Sequence, residues 1–304
     1  MKLLNIKGDT YYIKGGTNTG VIKLDDKNVL LIDPGLGGLR PKNIIRLLDK
    51  NNMRVKYIIN THEHEDHYEG CSQMKEIDKN IQVLSSEDAK IYIDYPHKFS
   101  ESILGGKSNI FLNTKVSEKK DNLTRVDKII SEGKFELNSS KVEIIKLKGH
   151  SDGSIGILTE DKVFFVGDLF VGSDIFNRFE LLLINDIKSY LDSIEKIRNI
   201  DFEYMVLGHS KEIYSKDESE ILIKLHGDSV NKYINQVRQL LKTPTTIDDI
   251  LKNILNNNSN LSCNYTQYYF FRSTIMSIIS YLCDLDEIDY SIKLGEMLYY
   301  SKKA

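Results

Sequence analysis

Hydrophobic positions fall along this chain in two rhythms. Up to about residue 214, short apolar runs recur at 10–13, 20–24, 29–32, 55–59, 81–84, 128–130, 135–137, 142–147, 155–158, 163–166 and 204–207, mostly separated by Gly, Asp, Asn or Ser. Runs of this length between turn residues predict β-strands. Segments 41–50, 87–93 and 185–200, and the stretch after Gly70, instead space their apolar residues as helices do; Ile187, Tyr190, Leu191, Ile194 and Ile197 show it best. Strands alternating with crossover helices predict an α/β layer structure.

Beyond residue 215 the helical rhythm takes over. Helices are expected at 218–242, at 247–255 behind the cap Thr245-Thr246, and at 265–282, followed by a hairpin over 287–301 about Gly295-Glu296. The change divides the chain into a domain at 1–214 and a mostly helical, winged-helix-like region at 215–304. The aromatics Tyr265, Tyr268, Tyr269, Phe270 and Phe271 sit at helical spacing and are expected mainly in core packing. His226 reads as structural. Segment 94–124 has no periodicity, contains Pro96, Gly105, Gly106 and the isolated aromatics Tyr95, Phe99 and Phe111, and reads as a candidate lid or a surface insertion. His97 within it reads as a surface residue.

Composition narrows the function classes. The chain has 304 residues, a formal net charge of -3 and 28% charged residues, so neither nucleic acid nor an anionic membrane is expected as its main partner. Residues 215–304 carry ten Lys plus Arg against eleven Asp plus Glu, whereas a winged helix on DNA needs a basic face. No apolar run approaches the roughly eighteen residues needed to span a bilayer, and the first residues lack a signal core, so the cytoplasm is the expected compartment. The three cysteines, Cys71, Cys263 and Cys283, form no CxxC and fit reduced, small buried residues; Cys71 follows the histidine loop directly.

Candidate chemistry concentrates where strands end. The strand at 55–59 runs into Asn60-Thr61 and then His62, His64, Asp66 and His67, a set of nitrogen and oxygen donors suited to zinc or iron. In an extended segment residues two apart face the same way, so His62 and His64 converge on one point while Asp66 and His67 turn toward a second. Three later strands each end at a glycine beside a further donor: Gly149-His150, Gly167-Asp168 and Gly208-His209. Glycine there permits a sharp turn and close backbone approach. Asp33, at the end of the strand 29–32, either caps a turn or orients a metal ligand from behind.

A strand ending in THxHxDH, followed in order by GH, GD and GH at strand ends, resembles the metallo-β-lactamase superfamily over roughly residues 1–225, the early Leu31-Ile32-Asp33-Pro34-Gly35 included. With His67 closing the first motif, the chain is similar to hydroxyacylglutathione hydrolases and related thioesterases and lactonases. It departs from their usual pattern at Lys148-Gly149-His150-Ser151 and at Gly70-Cys71. The resemblance implies a four-layer αββα sandwich with a helical C-terminal appendage. It also implies a ligand set: His62, His64 and His150 for one metal, Asp66, His67 and His209 for a second, and Asp168 bridging both.

Two zinc ions about 3.5 to 4 Å apart would bring the pKa of a shared water from 15.7 to about 7. Asp66 would then orient the resulting hydroxide as well as bind metal. Ester, thioester, lactone or lactam cleavage on a small molecule is the natural chemistry. Two rival readings stand beside it. One is a mononuclear iron persulfide dioxygenase on His62, His150 and Asp168; the other is a metal-retaining binding or regulatory protein. The tail is expected as a wall over the substrate groove or as an oligomer contact such as a homodimer interface.

Overall fold

The computed structural model describes residues 1–112, 124–138, 140–177, 180–258, 261 and 263–302. One sheet runs in chain order through β1 (Leu3–Lys7), β2 (Thr10–Ile13), β3 (Thr19–Lys23), β4 (Asn28–Ile32), β5 (Arg54–Ile59), β6 (Gln82–Ser85) and β7 (Lys128–Ile129). Its first four strands form an antiparallel meander, and β4 to β7 pair in parallel. The segments between the parallel strands carry α1 (Leu39–Asp49), α2 (Glu65–Tyr68), α3 (Gly70–Ile77), α4 (Glu87–Asp94) and α5 (His97–Leu104). The second sheet takes the order β13 (Ile213–Ser215), β12 (Tyr204–Val206), β11 (Val163–Phe165), β10 (Ile155–Thr159), β9 (Ser140–Lys146) and β8 (Gly133–Leu137).

The period of two along these strands builds the layers. In β4, Val29 and Leu31 pack outward against Ile44, Leu48 and Met74 of the helices. Leu30 and Ile32 pack inward with Ile144, Ile157, Val163 and Phe165 of the second sheet. Because β4 is buried on both faces, its sequence is apolar without alternation. Pairing between β4 and β5 slips after Val29↔Val55 to Leu30↔Tyr57, and this bulge lets Val55 and Ile58, three apart, share the outer face. On its far side the second sheet buries Ile145, Phe164 and Met205 under further helices. The result is the four-layer αββα sandwich expected from the resemblance.

Those outer helices are α6 (Ser173–Phe176), α7 (Ile187–Lys196) and the C-terminal α8 (Lys216–Leu240), α9 (Ile247–Asn257) and α10 (Tyr265–Asp284). Leu222 and Ile234 of α8, Ile250 of α9 and Ile278 of α10 join Ile187 and Ile194 in one cluster on the second sheet. Side-chain caps start the three C-terminal helices: Ser215 and Asn264 form capping boxes with Glu218 and Gln267, and Thr246 accepts from Asp249 N–H. A hairpin of β14 (Ile288–Lys293) and β15 (Glu296–Ser301) follows. No helix among the described residues is long and apolar enough to cross a membrane.

Two expectations need correction. Within 94–124, residues 97–104 form α5, which stops at Gly105 in the left-handed conformation (φ 69°); residues 113–123 of the candidate lid lie outside the described residues. So short a helix owes its stability to packing, which local sequence does not display. The aromatic stripe of α10 is also divided rather than wholly core: Phe271 is buried, Phe270 and Tyr269 are half-buried, and Tyr265 and Tyr268 are exposed.

Parallel pairing is what assembles the donors. With Ile32 beside Ile59 and Phe165 beside Val206, the loops after β4 and β5, and those after β11 and β12, leave at the same edge. The turn between β9 and β10 reaches that edge too, since Ile155 N–H donates to Thr61 O at 2.8 Å.

Candidate metal centre

The first motif changes conformation in its middle. His64 is extended (φ -78°, ψ 138°) and is the N-cap of α2, so His62 and His64 precede the helix while Asp66 and His67 lie within it. Two groups of donors result. His62, His64, His150 and Asp168 form one, and Asp66, His67 and His209 the other; within each group one ligand atom from every residue lies within 4.8 Å of the rest. All seven donors singled out in the sequence therefore meet at one edge. Asp168 touches both groups, with one oxygen 3.9 Å from His62 Nε2 and 3.3 Å from His209 Nε2, and the other 3.3 Å from His67 Nε2.

Hydrogen bonds behind the rings decide which nitrogen faces inward. His62 Nδ1 donates to Thr61 Oγ1 (2.9 Å), which donates to Asp33 Oδ2 (2.7 Å), and His67 Nδ1 donates to the same carboxylate at 2.8 Å. Asp33 thus orients two rings from behind. His150 Nδ1 donates to Leu183 O at 2.9 Å and His209 Nδ1 to Gly16 O at 2.6 Å. In all four rings Nδ1 is occupied and Nε2 is turned to the cluster, the arrangement that prepares an imidazole as a metal ligand.

The inward atoms suit a cation. His62 Nε2 is buried without a hydrogen-bond partner. His64 Nδ1 faces His150 Nε2 at 3.0 Å, and His67 Nε2 faces His209 Nε2 at 3.3 Å. Nitrogen opposite nitrogen is favourable only around a shared proton or a positive ion. The donor set of imidazoles and carboxylates is that of zinc and iron sites.

Charge divides the two groups. Burial, then His67 and His64, holds the His62 imidazole well below its ordinary pKa. Burial and then His150 bring His64 down to about 3, and burial also lowers His150. These three rings are neutral. Burial works against an imidazolium at His67, yet Asp168, Asp33 and Asp66 hold it up at about 10. Asp168 first, and Asp66 with it, raises His209 to about 12. Against the effect of burial, His67 and His209 bring Asp66 down to about 2, and His209 and His67 keep Asp168 well below the usual carboxylate range.

Glycines let these parts approach. A Cβ on Gly208 would fall 2.3 Å from Asp168 Oδ1 and 2.7 Å from His67 Cε1. Gly149 has φ +125°, and a Cβ there would meet the backbone of Tyr190 at 2.3 Å.

Other supports have no local signature. Asn18 N–H donates to Gly208 O at 2.8 Å, and its Nδ2 donates to Leu207 O and Ser210 O, fixing the His209 loop from the β2–β3 turn. Buried Glu63 accepts from Ser151 Oγ at 2.9 Å and from Gly153 N–H at 3.4 Å, tying the first motif to the His150 loop; burial pushes its carboxyl up to about 7. Their partners lie far away in sequence, where only tertiary structure brings them close. Phe99, noticed only as an isolated aromatic, packs its ring 4.9 Å from that of His64. Cys71 is buried with its thiol 3.5 Å from Asn60 Oδ1, while Cys263 and Cys283 are exposed; all three are free. His97 is exposed. His226 is a core residue, with Nε2 3.2 Å from Val171 O and Nδ1 3.2 Å from the Tyr190 hydroxyl.

Residues 12–209 match the metallo-beta-lactamase superfamily, and the chain belongs to it. It is 25% identical over 183 residues to a hydroxyacylglutathione hydrolase of Prochlorococcus marinus (strain MIT 9301), which covers 60% of this chain and 59% of that one. Hydroxyacylglutathione hydrolase 1 of Vibrio vulnificus (strain YJ016) is 28% identical over 181 residues, 59% of this chain and 56% of its own. The match thus spans less than two thirds of either relative. A beta-lactamase domain protein from Burkholderia ambifaria superposes over 98% of this chain and 93% of its own, with a TM-score of 0.75 and 13% identity, a likeness of fold.

Proposed function

We propose that the chain is a metallohydrolase that cleaves an ester, thioester, lactone or lactam of a small molecule. In this reading His62, His64 and His150 hold one zinc ion, Asp66, His67 and His209 hold a second, and Asp168 is shared. The observation that carries it is the convergence of all seven donors, with His62 Nε2 buried and unpartnered and His64 Nδ1 set 3.0 Å from His150 Nε2. The superfamily and the hydroxyacylglutathione hydrolase relatives support the hydrolase class.

Bound zinc supplies Lewis acidity, polarising a carbonyl and making water acidic enough to lose a proton near neutral pH. The chain's own residues supply position. Asp33, Leu183 O and Gly16 O fix the rings before substrate arrives, so the geometry is prepaid. Asp66 has 39% of its side chain exposed, against 11% for Asp168, and is the cluster carboxylate open to solvent. It is therefore placed to orient an incoming water as well as to bind metal. A mononuclear iron site on His62, His150 and Asp168 would leave Asp66, His67 and His209 without a task.

We further propose that residues 1–214 are the catalytic domain, that 215–304 serve as a wall of the site, and that the protein works in the cytoplasm, where its free thiols stay reduced. Metal analysis with a panel of esters, thioesters, lactones and lactams tests the function. Two zinc ions per chain and turnover that a chelator removes and zinc restores are expected. One iron per chain with oxygen uptake on a persulfide would contradict it, as would zinc-loaded protein that turns over nothing.

A further inference from the structure

On its His64 side the cluster meets an aromatic ring. Phe99 of α5 packs edge-on to His64 at 4.9 Å, and Phe270 of α10 packs on Phe99 at 6.2 Å, both at 67–69° between planes. Both phenylalanines are half-buried. Farther out, Phe111 lies 5.3 Å from Tyr265, whose hydroxyl accepts from Asn109 Nδ2 at 2.8 Å. Phe99 and Phe270 thus set ring surface beside the donor cluster, contributed from two parts of the chain far apart in sequence.

We propose that Phe99 and Phe270 form an apolar subsite that takes the hydrocarbon part of the substrate, making the substrate class an ester or thioester with a medium-length aliphatic or aryl acyl group. The inference rests on the hydrolase reading above and deepens it. A substrate whose carbonyl is held at the cluster has a substituent leaving along one of the walls, and on the His64 side that wall is Phe99. The phenyl rings offer no donor, acceptor or charge. A carboxylate or amide-bearing group laid on them would lose its water and gain no hydrogen-bond partner, whereas each methylene would be transferred from water to hydrocarbon. A short polar acyl group would leave Phe99 in contact with solvent.

The test is a chain-length series of p-nitrophenyl esters and acyl thioesters, acetyl to octanoyl, on the zinc-loaded protein. The expected kcat/KM rises by about threefold per methylene until the rings are covered. Phe99→Ala and Phe270→Ala, from separate helices, should each cut octanoyl turnover at least about tenfold more than acetyl turnover, and Phe99→Leu should retain most of the slope. Zinc content, measured alongside, separates loss of the subsite from loss of the fold; if either alanine variant does not fold, the other decides. A flat wild-type series overturns the subsite while leaving the hydrolase reading intact, and so does preference for a glutathione thioester of a short hydroxy acid. If no substrate turns over, the hydrolase reading falls. The subsite is then read by calorimetry with octanoate and acetate: tenfold tighter binding of octanoate supports it, and equal binding overturns it.

Discussion

The two halves of the donor cluster use the same side-chain chemistry and arrive in opposite electrostatic states. His62, His64 and His150 are desolvated and neutral, with nitrogen lone pairs turned inward. His67 and His209 are charged, because Asp33, Asp66 and Asp168 surround them. The difference follows from where the carboxylates stand. A cation entering the first half meets ready ligands; one entering the second must displace protons.

The largest expected effect comes from the residue the halves share. Asp168→Ala should abolish turnover and reduce zinc in both halves, since it removes the donor common to them. Full zinc content and rate in this variant would remove Asp168 from the site. Single-half changes break the comparison more selectively. His64→Ala should lose the zinc of the first half and His209→Ala that of the second, each leaving about one ion per chain by metal analysis.

Acidity sharpens the contrast. The second half binds a cation only by releasing the protons of His67 and His209, held up to about 10 and about 12, so its affinity rises with pH across the neutral range, by up to about tenfold per proton per unit. The first half, with His64 at about 3, should be flat from pH 6 to 8. Zinc titration against a chromophoric chelator at several pH values reads both slopes; equal slopes would contradict the electrostatic division. A smaller effect is expected behind the rings. Asp33→Asn keeps the shape but weakens the acceptor for His67 Nδ1, and should lower zinc affinity in the second half by about ten- to a hundredfold.

Much of the donor cluster was legible in the sequence, for identifiable reasons. The donors declared themselves because each stands beside a turn at a strand end, but the split between His62/His64 and Asp66/His67 comes from the helix that begins after His64, which an extended reading of the motif does not give. Helices α8 to α10 were legible within a few residues from apolar spacing, and the Thr246 cap is in place. The electrostatic division was not legible, since it depends on Asp33, Asp66 and Asp168 meeting around His67 in space. The supports were equally silent: Asn18 reaches Leu207 across the sandwich, and Glu63 reaches Ser151. Helix α5 escaped notice because it stands between Pro96 and Gly105 with Phe99, Ile103 and Leu104 as its only apolar residues, and with it went the contact between Phe99 and His64.

The most direct measurement is zinc stoichiometry of the purified protein at pH 8, resolved into its successive binding steps by competition titration. Two ions per chain are expected, and only the weaker step should disappear in His209→Ala. A single ion in the wild type, or loss of both steps together in that variant, would contradict a centre made of two separately loaded halves.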